Sequence, residues 1–355
     1  MNACWNNTAG PMKAPSSARR QARLRNLGLA AIAAIAVGAV TVAIAQEARI
    51  LRIGTGGAAG TYYPIGSIIA NAISSPPGSV SCEKGGSCGV PGLVAIVQSS
   101  EGSIENVEGI GSGALELALS QADIAYWAFH GSGPFRDKGA IAGLRAIANL
   151  YPETLHIVVR RDAGIATIAD LAGKRVSLGE EDSGTLVEAR AVLDAYGISG
   201  NDLDHVHLRS GPSSLMMSEG KLDAFFIVAG YPVAAIEELA RTVEIDLLPL
   251  NDPEADTVVA FYPFLTKGVI PAGVYNGVGE APTISVGAQL LVAAGVDEET
   301  VYGITRALWN ENTRKLLDQG HARGRDIRLE TAVEGIAVPL HPGAERYYRE
   351  VGVKQ

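Results

Sequence analysis

From Arg49 onward, short apolar stretches of strand length alternate with longer stretches of helical periodicity, and this alternation leaves few architectures open. Ile50-Leu51-Arg52-Ile53-Gly54 reads as a strand running into the turn Gly54-Thr-Gly-Gly-Ala-Ala-Gly60. The segment that follows carries Ile65, Ile68, Ile69, Ala72 and Ile73 on one helical face. Thr61 is placed to cap that helix, and Pro64 falls in its first turn, where no backbone donor is needed. Further strands are expected at 93–97, 115–119, 144–150, 155–160, 206–209, 224–228 and 245–250. Ser103 is expected to cap a helix bearing Ile104, Val107 and Ile110, and Thr185-Leu-Val-Glu188 has the form of a capping box. Two helices are expected to fill 301–319. Strands alternating with helices predict an α/β protein with mostly parallel sheets. In such sheets ligands sit beyond the carboxyl ends of the strands, which points to the loops after Ile53, Val97, Leu119, Leu178 and Val228.

The first 45 residues have the pattern of a secretory signal. Lys13, Arg19, Arg20, Arg23 and Arg25 form a basic region, residues 27–43 are apolar and uncharged, and Ala43-Ile44-Ala45 is a small-residue cleavage pattern. The competing reading is a retained anchor, since the apolar run is about as long as the shortest spanning helices. The first eleven residues do not resemble a basic region, which leaves Met12 as an alternative start, and Arg19-Arg20 leaves both general and twin-arginine export open. Cleavage leaves 355 − 45 = 310 residues, long for a single core and suited to two lobes.

All 38 acidic residues and all but five of the 29 basic ones follow the signal, so the formal charge of the remainder is 24 − 38 = −14. A surface this acidic argues against nucleic acid and anionic lipid as partners. Cys82 and Cys88 lie six residues apart in the Gly-, Pro- and Ser-rich stretch 74–92. Export would place them in an oxidising space, where a disulfide tying down that loop is expected. A zinc site would need more ligands than this pair offers.

Motifs for catalysis are sparse. Gly54-x-Gly56-x-x-Ala59 formally fits a dinucleotide fingerprint, but the acidic residue expected about twenty positions on is missing, and Ser74, Ser75, Pro76 and Pro77 stand there instead. What remains is a glycine turn opening a helix, whose backbone N–H groups are a natural seat for a carboxylate. Glu181-Asp182-Ser183-Gly184-Thr185 opens a second such helix, with ordinary capping as the plainer reading. The string Gly85-x-Ser87-x-Gly89 lies within the Gly-, Pro- and Ser-rich stretch, and no G-x-S-x-G elbow joins an expected strand to a helix. His205 and His207 share one face of a strand, where hydrogen-bonded histidines are commoner than metal ligands. Glu180-Glu181-Asp182 reads as a solvated turn, with contact to a ligand ammonium as the alternative. Tyr62, Tyr63, Tyr126, Trp127, Tyr231 and Tyr262 fall near strand ends, where pocket and core roles are both open.

Taken together these fragments resemble a family. Gly56-Gly57 followed by Thr61-Tyr62-Tyr63-Pro64-x-Gly66 is similar to the signature of the TAXI solute receptors of TRAP (tripartite ATP-independent periplasmic) transporters. Gly102-Ser103-x-x-Asn106, Gln121-x-Asp123, Asp170-Leu-x-Gly-Lys-Arg-Val176, Ser183-Gly184-Thr185 and Asp223-Ala-Phe225 follow in the same order, across residues 50 to about 354. The resemblance implies a two-lobed periplasmic-binding-protein-like (type II) fold whose two crossover strands form a hinge, with the ligand in the cleft between lobes. It implies hinge strands at 155–160 and 283–291, and the division 1–45 signal, 46–155 first lobe, 156–282 second lobe and 283–355 return to the first. It carries over Gly57, Thr61, Tyr62, Ser103, Asn106, Gln121 and Asp123 from one lobe as ligand-binding residues, and Ser183, Gly184, Thr185, Gly230 and Tyr231 from the other. The implied function is an extracytoplasmic, periplasmic receptor that holds a small carboxylate or amino acid, glutamate-like or dicarboxylic. It would deliver that solute to TRAP membrane subunits as a monomer, with no cofactor, metal or enzymatic step. A sensory binding protein reporting to a membrane kinase is the alternative, and an exported hydrolase a more remote one. If the signal is removed, N-terminal sequencing of the protein from a periplasmic extract is expected to begin at or near Gln46. Recovery only in the membrane pellet would mean a retained anchor.

Overall fold

A computed structural model describes residues 48–354; the expected signal and its cleavage site lie outside them. The strands are β1 (Arg49–Gly54), β2 (Ser74–Ser75), β3 (Val90–Pro91), β4 (Leu93–Gln98), β5 (Leu117–Gln121), β6 (Leu144–Arg160), β7 (Arg175–Ser177), β8 (Asp204–Val206), β9 (Ala224–Ala229), β10 (Ile245–Leu247), β11 (Thr266–Ile270) and β12 (Ala281–Ala293). The helices are α1 (Tyr62–Ile73), α2 (Ser103–Ser112), α3 (Ala122–His130), α4 (Gly184–Ala195), α5 (Ser210–Ser218), α6 (Ala234–Leu239), α7 (Pro253–Phe261), α8 (Glu298–Leu308), α9 (Glu311–Gly320) and α10 (Pro342–Val351). Among the described residues, no helix is long and apolar enough to cross a membrane.

The main sheet runs β4-β1-β5-β12-β6-β9-β7-β8, with β10 paired to β6 and β11 to β12. At one end β4, β1 and β5 are parallel, and at the other β8, β7 and β9 are parallel. Between them β12 and β6 run antiparallel to each other and to their outer neighbours. The expected parallel sheets therefore flank an antiparallel pair, and the strands expected at 144–150 and 155–160 are one continuous strand of 17 residues.

The two central strands divide their side chains between two cores. Ile147, Ala148, Leu150 and Tyr151 of β6 pack with Ala288, Leu290 and Val292 of β12, against Ile53, Ile65 and Ile69 from the start of the chain and Val301, Ile304 and Tyr348 from its end. Farther along the same strands, Leu155, Ile157 and Val159 pack with Ile284 and Val286 against Leu178, Leu186, Val192 and Phe226. Each half-sheet is covered on its other face as well, by Ile104, Val107, Ile124 and Phe135 in the first lobe and by Met217, Phe225, Ile236 and Tyr275 in the second. Burial on both faces is why these strands read as apolar runs without alternation.

Two of the segments that carry the resemblance, Asp170–Val176 and Asp223-Ala-Phe225, prove to be structural fasteners in the second lobe. Asp170 Oδ2 accepts from the N–H groups of Ala166 and Thr167, Lys174 Nζ donates to Ala163 O at 2.7 Å, and Arg175 forks onto the Asp223 carboxylate. His205 and His207 each hydrogen-bond a backbone carbonyl, Gly200 O and Gly179 O, and among the described residues no cluster suits a metal ion.

The stretch 74–92 is a loop pinned at its base by β2 and β3, which pair in parallel, and Cys82 and Cys88 are joined by a disulfide. Asn312 of α9 donates to Cys88 Sγ at 3.1 Å, tying the loop to the helices of the first lobe. Reduction is expected to remove about 2 kcal/mol by freeing this short loop in the unfolded chain. Thermal melting with and without reductant should show a drop of a few degrees with unchanged far-ultraviolet circular dichroism. Loss of secondary structure on reduction would show that the loop carries part of the core.

Candidate functional site

Four helices begin at one place. Tyr62 opens α1, Ser103 opens α2, Gly184 opens α4 and Ser210 opens α5, and all four residues line a single cavity of about 60 Å³. The turns that precede these helices complete the wall with Gly56, Gly57, Gly60, Thr61, Glu101, Gly102, Glu180 and Ser183. Each helix start presents backbone N–H groups and the positive end of its dipole, so the cavity has an electropositive backbone lining. Its side chains have the opposite character. Glu101, Glu153 and Glu180 line it, and no lysine or arginine appears in that lining. Arg209 stands just outside, its stem across Gly57 and its charge partly offsetting the burial that pushes the Glu180 carboxyl up to about 7.

The lobes are closed on each other around this space. Thr61 Oγ1 donates to Gly230 O at 2.6 Å, and Gln121 Nε2 donates to Glu188 Oε1 at 3.1 Å. The Glu105 N–H reaches Asp182 O at 3.2 Å. Arg323 Nε donates to Tyr231 O at 2.8 Å while its guanidinium lies 3.9 Å from the centre of the Tyr231 ring. Gly184 sits so close to Gln121 that a Cβ there would fall 1.3 Å from Oε1, with Gln121 itself only 2% exposed. Gly102 holds φ at +134°, which glycine tolerates, and packs against Ser183 across the cleft.

Of the twelve residues expected to bind ligand, the cavity lining contains Gly57, Thr61, Tyr62, Ser103, Gln121, Ser183, Gly184 and Thr185. Asn106, Asp123, Gly230 and Tyr231 lie outside it. Asn106 is fully buried behind the wall, donating to Thr55 O at 2.6 Å and Leu119 O at 2.7 Å, so it joins the ends of β1 and β5. Asp123 is buried and accepts from the Ile124 N–H. Gly230 and Tyr231 belong to the grip from Thr61 and Arg323. Three local expectations also change. Thr61 makes no side-chain cap on α1, because its hydroxyl crosses to Gly230. Gly102 precedes α2 in the capping position, and Ser103 Oγ instead accepts from the Gln121 N–H at 3.1 Å. Ser183 caps α4 by accepting from the Leu186 N–H at 3.1 Å, while Thr185 accepts from the Val228 N–H and Glu188 turns inward to Gln121.

The residue the sequence hid is Glu153. It is 1% exposed, lines the cavity and accepts the Tyr62 hydroxyl hydrogen at 2.7 Å through Oε2. Burial, with the nearby Asp123 charge, raises its carboxyl to about 8 against the opposing Tyr62 hydrogen bond. Burial alone lifts Asp123 to about 7, and burial with both other carboxylates lifts Glu188 far above the usual range. The signal available beforehand was an acidic residue between two apolar runs, at Pro152-Glu153-Thr154, which reads as an exposed turn as long as the runs are taken for separate strands.

A family model described as NMT1-like family matches residues 53–352. The fold is similar to that of a solved protein from Bordetella bronchiseptica RB50, at 14% identity over 85% of this chain and 83% of that one, with a TM-score of 0.50. The alkanesulfonate-binding protein of Xanthomonas axonopodis pv. citri, solved with MOPS bound, matches at 16% identity over 85% and 84% of the two chains, with a TM-score of 0.45. The periplasmic aliphatic sulphonate binding protein of Escherichia coli matches at 16% identity over 84% and 78%, with a TM-score of 0.41.

The buried carboxyls dictate a pH dependence. Their folded pKa values lie above those of the unfolded chain, so the folded protein holds protons that the unfolded chain releases above about pH 4. Stability from this source is complete below that value and is lost as the pH rises through about 7 to 8. Melting temperatures of the ligand-free protein are expected to fall between pH 6 and pH 8.5, and Asp123→Asn to flatten that slope. A rising melting temperature over the same range would contradict the assignment.

Proposed function

From residue 53 to residue 352 this chain belongs to the NMT1-like family, and from that footing we propose that it is an extracytoplasmic solute receptor holding a small carboxylate or amino acid between its lobes. The observation that carries the reading is the convergence of four helix N-termini on one closed cavity. Backbone donors at helix starts share a negative charge among several hydrogen bonds and need no arginine, and their alignment favours an anion over a neutral solute. Gly57, Thr61, Tyr62, Ser103, Gln121, Ser183, Gly184 and Thr185 are the residues assigned to the solute, as members of that wall. The lobe boundaries at 155/156 and 282/283 belong to the same reading, which is favoured by the way β6 and β12 pass from one core to the other.

A solute bridging two lobes stabilises the closed state through contacts the open state lacks, and that difference is what shifts the equilibrium. Membrane subunits of a TRAP transporter are the proposed recipients, since the motifs resembling TAXI receptors all fall inside the matched range. Delivery takes place in the periplasm after removal of the signal, and no bond of the solute is made or broken.

The test is titration calorimetry of the mature protein with glutamate, 2-oxoglutarate, succinate and a panel of neutral sugars, paired with small-angle X-ray scattering. At least one acid is expected to bind, and the radius of gyration to fall when it does. Gly184→Ala places a methyl group where Gln121 stands in the closed form. It is expected to weaken binding by about 1–3 kcal/mol, the usual cost of overpacking, with each lobe still folded. Tight sugar binding with no acid bound, or a Gly184→Ala protein that binds and closes normally, would overturn the reading.

A further inference from the structure

Resting on the receptor reading above, we infer that the solute carries a protonated amino group, and that Glu153, held by Tyr62, forms its seat. The helix starts account for a carboxylate, but they leave the rest of the wall unexplained. A solute with carboxylates alone is repelled by each of Glu153, Glu101 and Glu180 that is ionised. An amino acid is attracted at both ends, by the dipoles at one and by a carboxylate at the other.

One buried carboxylate of the wall has an oxygen to offer a donor. Glu153 is 1% exposed and lines the cavity, and Tyr62 occupies its Oε2, with no hydrogen bond reaching Oε1 among the described residues. Gln121 is 2% exposed and lines the same cavity, but its Nε2 is committed to Glu188 and its Oε1 packs against Gly184, so Glu153 is left as the acceptor. Behind them stand Asp123 and Glu188, whose charges act on this group with the same sign. The wall therefore holds acceptors in excess and no cationic side chain in its lining. An ammonium group supplies three donors and a positive charge, which is what such a wall lacks. Glu153 held at about 8 keeps a proton near neutral pH, and an arriving ammonium takes that proton's place as the counter-charge. Tyr62 fixes the carboxylate plane, and its own hydroxyl lies 3.4 Å from Ser103 Oγ, so the seat is braced from α2.

This seat assigns Glu153 as the residue that separates amino acids from the corresponding oxo and unsubstituted acids. The test is titration calorimetry of the mature protein with glutamate, 2-oxoglutarate and glutarate, and with aspartate, oxaloacetate and succinate, on wild type and Glu153→Gln. The amino member of each bound series is expected to bind about 10- to 100-fold more tightly than its partners, the range of one or two charge-assisted hydrogen bonds. Glu153→Gln is expected to erase that preference, the amino, oxo and unsubstituted members of a series then binding within a few-fold of one another. Tyr62→Phe is expected to reduce the preference partly, and it serves as the test if thermal melting shows Glu153→Gln unfolded. An oxo acid binding as tightly as its amino counterpart would mean that a protonated Glu153 donates to a carbonyl, and would overturn the inference while the receptor reading stands. A preference that survives Glu153→Gln would overturn it as well. If none of the six acids binds wild type, the receptor reading itself fails and the inference goes with it.

Discussion

Everything in this molecule hangs on the antiparallel pair β6 and β12. Each strand places one stretch of side chains in the first core and the next stretch in the second, so the same two strands are structural in both lobes. Between those stretches, the backbone passes through residues 152–154 and 285–287, where Glu153 pairs with Val286. Glu153 is thus carried at the boundary between lobes by a strand whose side chains enter both cores. A side chain at that place reaches the cavity whichever lobe moves, because its own strand is continuous across the boundary.

The cavity combines two sources of charge that are independent of each other. The positive potential comes from backbone geometry, from four helices that start there because four strands end there. It cannot be removed by substituting one side chain. The negative potential comes from carboxylates on loops and on β6, and each can be altered alone. Glu188 and Asp123 lie behind the wall and outside the lining, joined to the front by Gln121. Gln121 of β5 and Glu188 of α4 meet across the cleft, so the cost of burying those carboxylates falls on the contact between the lobes.

The parts legible in the sequence are those fixed by local pattern. The glycine turn before α1 and the Ser183-Gly184-Thr185 turn before α4 both stand at the cavity, because a strand followed by a tight turn and a helix can only place that turn at the strand's carboxyl end. What depends on distant residues was not legible. Thr61 has every local mark of a helix cap, yet its hydroxyl is taken by Gly230, 169 residues away. Glu188 completes a capping-box pattern, yet it faces Gln121 across the cleft. Glu153 sits in a Pro-Glu-Thr sequence that a turn would also produce, and only the length of β6 places it indoors. Arg323, which grips Tyr231 from a short 3-10 turn near the end of the chain, carries no motif at all.

The first lobe is also built from both ends of the chain. Ile53, Ile65 and Leu93 pack against Val301, Ile304, Leu308 and Tyr348, and the Tyr348 hydroxyl donates to Ile147 O across 201 residues. A ribosome delivers these groups in order, so half of that core is absent until nearly the whole chain has been made. The second lobe has no such wait, since apart from Ala122 its principal cluster is drawn from Leu155 to Val286. The side chains of the second core are thus all present in the chain before those of the first. Tyr348 of α10 supplies the last of the fully buried side chains of that first core.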